Sequence, residues 1–267
     1  MSTHATNPDH PQSRRPVSPS SSVTLFVQCL VDTFYPQVAE SVVTIFRRLG
    51  MAVNCPAEQT CCGQPAFNAG YRRQARTAAR HFIELFEKAG DIVCPSGSCV
   101  HMVRHGYAEL LVDDPAWLAR SRRIAARTFE LSEYLVDVLG ITDLGACCPV
   151  TLTYHDSCHL LHGLGVNRQP RELIGNVHGA RLVEMKEASR CCGFGGTFAV
   201  RYPEISAAML ADKIDCITAS GAEAVVGCDM SCLMNIEGMI SRRGLDIGVV
   251  HIAQLLTAGC REDIIGA

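Results

Sequence analysis

Thr151-Leu-Thr-Tyr-His-Asp-Ser-Cys158, then Cys191-Cys192-Gly193, then Asp229-Met-Ser-Cys232: this order of motifs occurs twice in the chain. The earlier copy runs Val23-Thr-Leu-Phe-Val-Gln-Cys29, Cys61-Cys62-Gly63 and Ser96-Gly-Ser-Cys99. Between Cys29 and Cys61 lie 31 residues, and between Cys158 and Cys191 lie 32. Each copy reads strand–Cys, helix, strand, Cys-Cys-Gly, helix, strand, Ser-Cys. Chance seldom sets two such triplets at matching distances from flanking cysteines, so the pattern predicts a duplicated, pseudo-twofold architecture.

The intervening segments fit that plan. Val38, Val42, Ile45, Phe46 and Leu49 recur at helical spacing, with Gly50 as the stop. Ala75, Ala78, Phe82, Phe86 and Ala89 make a second stripe, closed by Gly90. Asp91-Ile-Val-Cys-Pro95 then reads as a buried strand. In the second copy Ile205, Met209, Ile214 and Ile217 mark a helix ended by Gly221, and Ala224-Val-Val-Gly227 is the matching strand. Strands alternating with helices predict an α/β fold: two pseudo-twofold repeats, each a mostly parallel sheet with flanking helices. The expected division is a disordered tail over 1–22, repeat 1 over 23–112, a helical linker over 113–148 and repeat 2 over 149–259. Arg-rich faces at 72–80 and 120–127 read as solvated surface rather than docking sites.

Composition limits the function classes. With 267 residues, 48% of them hydrophobic and 19% charged, the chain can bury a sizeable core and is not a disordered, highly charged tail. A net charge of −3 and sparse aromatics offer neither a positive field nor a stacking platform, which argues against nucleic acid as a partner. Fifteen cysteines are the outlier. The Ser/Pro-rich first 22 residues lack the apolar core of a signal peptide, and no run is long enough to span a bilayer. The expected compartment is therefore a reducing cytoplasm, where clustered thiols are metal or redox groups more often than cross-links.

In parallel α/β folds the loops leaving the carboxyl ends of the strands share one edge of the sheet. That edge should gather two thiol quartets: Cys29, Cys61, Cys62 and Cys99, and Cys158, Cys191, Cys192 and Cys232. Converging thiolates repel unless cationic metal holds them. Iron–sulfur chemistry fits better than zinc, because no CxxC hairpin exists and adjacent cysteines more easily serve separate irons. Gly63, Gly193, Gly195 and Gly196 would let backbone N–H groups approach cluster sulfides. His155 is placed either to hydrogen-bond a cluster sulfur or to be an ordinary histidine satisfied at a strand end.

The residues CCGQP (61–65), PSGSC (95–99), CCGFGGTF (191–198) and HIAQLL (251–256) carry a family resemblance. The chain resembles the CCG, or cysteine-rich, domain proteins over about 23–258: the CCG-bearing component of heterodisulfide reductase, the iron–sulfur component of glycolate oxidase and, most specifically, the A (or E) subunits of L-lactate utilisation complexes. The resemblance implies an iron–sulfur subunit that passes electrons while a cytoplasmic complex oxidises L-lactate to pyruvate. It also implies a ferredoxin-type iron–sulfur subunit and a third subunit as partners, and a small 2-hydroxy acid as substrate of the whole complex. Glycolate or thiol/disulfide chemistry is the alternative within oxidoreductases, and a zinc-stabilised or redox-sensing scaffold the alternative outside them. The family's fuller motif ends each repeat in CxxC, whereas Ser96 and Asp229 stand at the first of those positions here. Four thiols per site therefore suit a 4Fe–4S cluster, one in repeat 2 and a second in repeat 1. Cys94 and Cys228 read as buried strand-end thiols in preference to substitute ligands, and Cys55, Cys147, Cys148, Cys216 and Cys260 as packing or incidental thiols.

Other chemistries recede. His155 and Cys158 are not spaced on a strand to form a nucleophile–base pair. Gly193-Phe-Gly-Gly-Thr-Phe198 misses GxGxxG at its last position, and no GxxxxGK[ST] or HExxH occurs. Without a nucleotide fingerprint the chain is expected to conduct electrons, its cysteine edge facing the partner subunits, rather than to complete lactate oxidation alone.

Overall fold

Strand β1 (Ser22–Leu25) lies between β2 (Ala52–Asn54) and β3 (Ile92–Cys94), and β4 (Thr128–Glu130) completes a sheet of order β2-β1-β3-β4. The second half repeats it. There β5 (Thr151–His155) lies between β6 (Arg181–Leu182) and β7 (Ala224–Gly227), and β8 (Gly248–His251) closes the order β6-β5-β7-β8. Every pairing in both sheets is parallel. This is a computed structural model, and it describes residues 21–264. The tail expected over 1–22 therefore lies outside the described residues, apart from Ser21 and the first residue of β1.

Parallel strands need long crossovers and cover on both faces, and the sequence supplies both. The central β3 and β7 are apolar and fully buried. The helix Pro36–Arg48 buries Val38, Val42, Ile45 and Phe46 as the spacing requires, and Gly50 leaves it at φ 72°. The helix Arg72–Phe86 buries Ala75, Ala79, Phe82, Ile83 and Phe86. Its arginines pair with acids of neighbouring segments, as in Arg80–Asp114 at 2.9 Å, while Arg120 pairs back to Glu87 at 2.8 Å.

Two expectations need correction. The segment 113–148 is not simply a helical linker: after the helix Pro115–Ala125 it contributes β4 to the first sheet. Three residues are too short to display a two-residue period, so nothing in the sequence sets Phe129 apart from the helical pattern around it. In the helix Pro203–Ala219, Ile205 is 55% exposed, and the buried face runs through Ser206, Leu210, Lys213, Ile214 and Ile217. A lysine inside that face hides the stripe from any hydropathy count.

One hydrophobic cluster spans both halves. Leu25, Val42 and Phe46 from the first pack in a single cluster with Leu152, Leu173 and Leu255 from the second. Matching positions of the two repeats meet at the seam, where Ser96 and Asp229 form an antiparallel bridge. The buried Asp229 carboxylate accepts from Ser98 N at 2.9 Å and Ser96 Oγ at 3.2 Å. Among the described residues no helix is long and apolar enough to cross a membrane.

Glu130, wholly buried at the end of β4, accepts from the backbone N–H of Ser132 at 2.8 Å and of Glu133 at 3.3 Å. Its Oε1 has no partner. Burial outweighs these hydrogen bonds and pushes the carboxyl up to about 7. Because the folded value exceeds the unfolded one near 4.3, this group's contribution is complete below pH of about 4.3 and is lost as pH rises through about 7, a swing on the order of 3 kcal/mol. Glu130→Gln is expected to flatten that part of the stability profile. Denaturant titrations at pH 5 and 8 would check it, and an equal pH slope in both proteins would refute it.

Candidate metal centre

Each quartet draws its thiols from three separate segments. Cys29 opens the helix Cys29–Phe34, just past β1. Cys61 and Cys62 sit in the loop after β2, and Cys99 lies in the helix Gly97–His101 that follows β3. Cys158, Cys191, Cys192 and Cys232 occupy the corresponding places beyond β5, β6 and β7. All eight line one cavity of about 310 Å³ at the carboxyl-end edge of the strands.

Within each quartet the sulfurs form a chain of contacts. In the first half Cys29 meets Cys61, Cys61 meets Cys62, and Cys62 Sγ stands 3.6 Å from Cys99 Sγ. In the second, Cys158 meets Cys191, Cys191 meets Cys192, and Cys192 meets Cys232. The Cys61 thiol is held well below its ordinary range by the hydrogen bond from Cys29, with Cys62 and the Gly63 N–H assisting against burial. Cys191 is lowered in the same way by Cys158, then Cys192, with the Gly193 N–H. Their donors Cys29 and Cys158 are correspondingly pushed up, first by those same hydrogen bonds and then by burial. The first cysteine of each Cys-Cys-Gly triplet is thus held toward the thiolate, as is Cys99 in the first half by Cys62 and then Cys94.

The glycines shape the triplets. Gly63 (φ 86°) and Gly193 (φ 79°) adopt a left-handed conformation that turns the N–H back to Cys61 Sγ and Cys191 Sγ, at 3.4 Å in each case. A Cβ on Gly193 would stand 2.6 Å from Ser206 O. Gly195 and Gly196 line the cavity wall. Side chains from the following helices fix the second cysteine of each triplet. Tyr107 Oη donates to Cys62 O at 3.0 Å, and Asn235 Nδ2 donates to Cys192 O at 2.8 Å.

The sequence-selected residues separate as follows. His155, at the end of β5, is 1% exposed, and a ring nitrogen lies within 4.8 Å of the Cys192 and Cys232 sulfurs. Cys94 is buried with its thiol against Cys99, whereas Cys228 points the other way, 3.3 Å from Tyr154 Oη. Cys55, Cys147, Cys148, Cys216 and Cys260 do not line the cavity. Sequence reasoning missed Gln28, Ser98, Ser157 and Ser231, polar residues of the cavity wall. It also missed that Asp229, noted only as a lost cysteine, reaches the wall from the seam. Aligning the two Ser-Cys motifs would have paired Ser98 with Ser231.

The donor set suits an iron–sulfur group. Soft thiolates from separate elements converge from two sides. Buried N–H and ring nitrogens await partners there: the Gln28 amide nitrogen on the wall, and both nitrogens of His155 behind it.

The chain matches the family described as Cysteine-rich domain (CCG) at residues 23–104 and 152–237. Those ranges cover most of the two halves seen here. It is 48% identical over 243 residues to lactate utilization protein A of Exiguobacterium sp., covering 90% of this chain and 99% of that one. It is 44% identical to the protein of the same name from Halalkalibacterium halodurans, covering 88% and 96% of the two chains. The fold is similar to that of a hypothetical protein from Helicobacter pylori solved by crystallography, with a TM-score of 0.63 at 10% identity. That match spans 94% of this chain and 52% of the other, so the chain corresponds to about half of that protein's length.

Proposed function

The chain belongs to the cysteine-rich CCG-domain family, and on that premise we propose that it is the iron–sulfur electron-transfer subunit of a cytoplasmic complex oxidising L-lactate to pyruvate. The observation that carries the reading is the convergence of eight thiols from both repeats on one cavity. The name of the relatives, lactate utilization protein A, points to lactate as the substrate of the system. Cys158, Cys191, Cys192 and Cys232 would hold one cluster of the 4Fe–4S type, and Cys29, Cys61, Cys62 and Cys99 a second. A cluster of this kind, when bound, takes up and hands on one electron at a time.

The chain's own residues prepare the site. Neighbouring thiols and the glycine N–H groups push Cys61 and Cys191 toward the thiolate, the form that binds metal. The Gly63 and Gly193 N–H groups neutralise part of the negative charge that thiolates gather. Buried Cys62, Cys99, Cys192 and Cys232 form a dry floor, and the more exposed Cys29 and Cys158 stand toward the rim. That rim, which includes the 82% exposed Val200, is where a ferredoxin-type subunit would dock, with a third subunit completing the complex. We read 23–112, completed by β4 from the segment 113–148, and 149–259 as the two cluster-bearing units. The 2-hydroxy acid would be oxidised at the level of the complex.

Purified without oxygen, the protein is expected to be coloured and to contain iron with acid-labile sulfide. A colourless zinc protein would overturn the reading. Cells deprived of the chain should lose growth on L-lactate while retaining it on glycolate; the reverse would move the substrate to glycolate.

A further inference from the structure

The two halves align through the packing of their crossover helices. A Cβ on Gly63 would meet Ala75 O and Ala78 Cβ, and one on Gly193 would meet Ser206 O and Met209 Cβ. Ala75 thus corresponds to Ser206, and Phe82 to Lys213. Both side chains are buried on the inner face of their helix. Phe82 suits that place, its ring in edge contact with Phe26 at a centroid distance of 4.8 Å. Lys213 brings an ammonium to the same depth.

An ammonium leaves water at a cost unless hydrogen bonds and a counter-charge replace its hydration. The hydrogen bonds are present. Nζ donates to Ala188 O at 2.9 Å and to Glu187 O at 3.2 Å, on the turn that leads into Cys191. That turn is strained: Glu187, at φ 55°, is the only residue other than glycine with a positive φ among the described residues. In the first half the carbonyl three residues before Cys61, Glu58 O, accepts from the ring of His81 at 2.9 Å, and the buried place behind it is left to Phe82.

The counter-charge is not a carboxylate. The two carboxyls whose charge Lys213 feels are committed elsewhere, Asp156 to Arg171 at 2.8 and 2.9 Å and Glu187 to Arg190. What remains is sulfur. Leu210 and Ile214, the neighbours of Lys213 on its helix, pack in one buried cluster with Met185, Cys192 and Cys232, and Met185 Sδ stands 3.8 Å from Nζ. Burial pushes the ammonium down, and the negative charge of Cys216, Cys192 and Cys232 opposes it, with that of Asp156.

We propose that Lys213 is the counter-charge of the second-half iron–sulfur centre, a positioning residue that holds the turn before Cys191 and raises that centre's potential. The inference rests on the iron–sulfur reading above and adds no ligand to it. The four thiolates keep the irons, and Lys213 stands behind them, off the cavity wall. Each electron taken up adds one negative charge to the centre, and a fixed cation nearby favours that state. Phe82 supplies no such charge to the first centre, so the effect falls on one centre only.

The test is a redox titration of the whole chain, purified without oxygen and followed by electron paramagnetic resonance. Lys213→Met keeps the length of the side chain and removes its charge. It should lower one of the two midpoint potentials and leave the other, with iron and sulfide retained. Lys213→Gln keeps a donor for the turn carbonyls without the charge and should show the same shift, whereas Lys213→Arg should hold the unmutated potential. Unmoved potentials in Lys213→Met, or in Lys213→Gln where the first variant does not fold, would overturn the inference. A shift shared by Lys213→Arg would overturn it too, since packing and not charge would then be the cause. Loss of iron from one half in both uncharged variants, with retention in Lys213→Arg, would support the counter-charge; loss in all three would refute it. A chain without iron and sulfide before any substitution would defeat the iron–sulfur reading itself, and this inference with it.

Discussion

Cys192→Ser is expected to empty the second-half centre and, if both centres are filled, to remove about half of the bound iron and sulfide. Its sulfur is buried and meets both Cys191 and Cys232, which puts it at the middle of the quartet. Serine keeps the size of the side chain but offers a hard hydroxyl in place of a soft thiolate. Iron and sulfide analysis with the visible spectrum reads the outcome directly. Unchanged iron per chain would sink the assignment of the second quartet. Cys228→Ser is the matched control: its thiol is equally buried but turned toward Tyr154, and the iron should stay.

The second large effect is on folding. Gly193→Ala introduces a Cβ 2.6 Å from the backbone oxygen of Ser206, at a residue with φ of 79°. The left-handed conformation costs about 1–2 kcal/mol for a residue with a Cβ. The clash adds to it because the obstacle is main chain of the helix Pro203–Ala219, already fixed by the Ser206 Oγ hydrogen bond to Gly193 O. A total loss of about 3–5 kcal/mol is expected, in the range of the severe single substitutions. Gly221→Ala, at a helix end with φ 68° and open space around the new Cβ, should cost only the conformational part. Denaturant unfolding of the two variants should separate clash from strain, and equal losses would refute the steric account.

Much of this was legible from one sequence because the decisive signals are covalent neighbours. The two Cys-Cys-Gly triplets, the Ser-Cys endings and the apolar stripes of Pro36–Arg48 and Arg72–Phe86 are local patterns, and the parallel sheets follow from their alternation. What escaped depends on contacts between distant segments. β4 was masked because its three residues continue a helical rhythm. The buried face containing Lys213 was masked because a lysine satisfied by Glu187 and Ala188 carbonyls looks, in sequence, like a solvent residue. Two quartets were expected, but nothing in their spacing says that both open on the same cavity. That follows from how Ser96 and Asp229 join the halves.

The Ser96–Asp229 bridge also bears on ancestry. An identical pair of units related by a true axis would place the same residue on both sides of the seam. With aspartate on each side, two carboxylates would confront each other away from water, a strongly unfavourable arrangement unless one stayed protonated. With serine on each side, the Ser98 amide would lose its anionic acceptor. The hydroxyl–carboxylate match requires the two copies to differ at this position, so a chimaera carrying either copy twice would inherit a mismatched join.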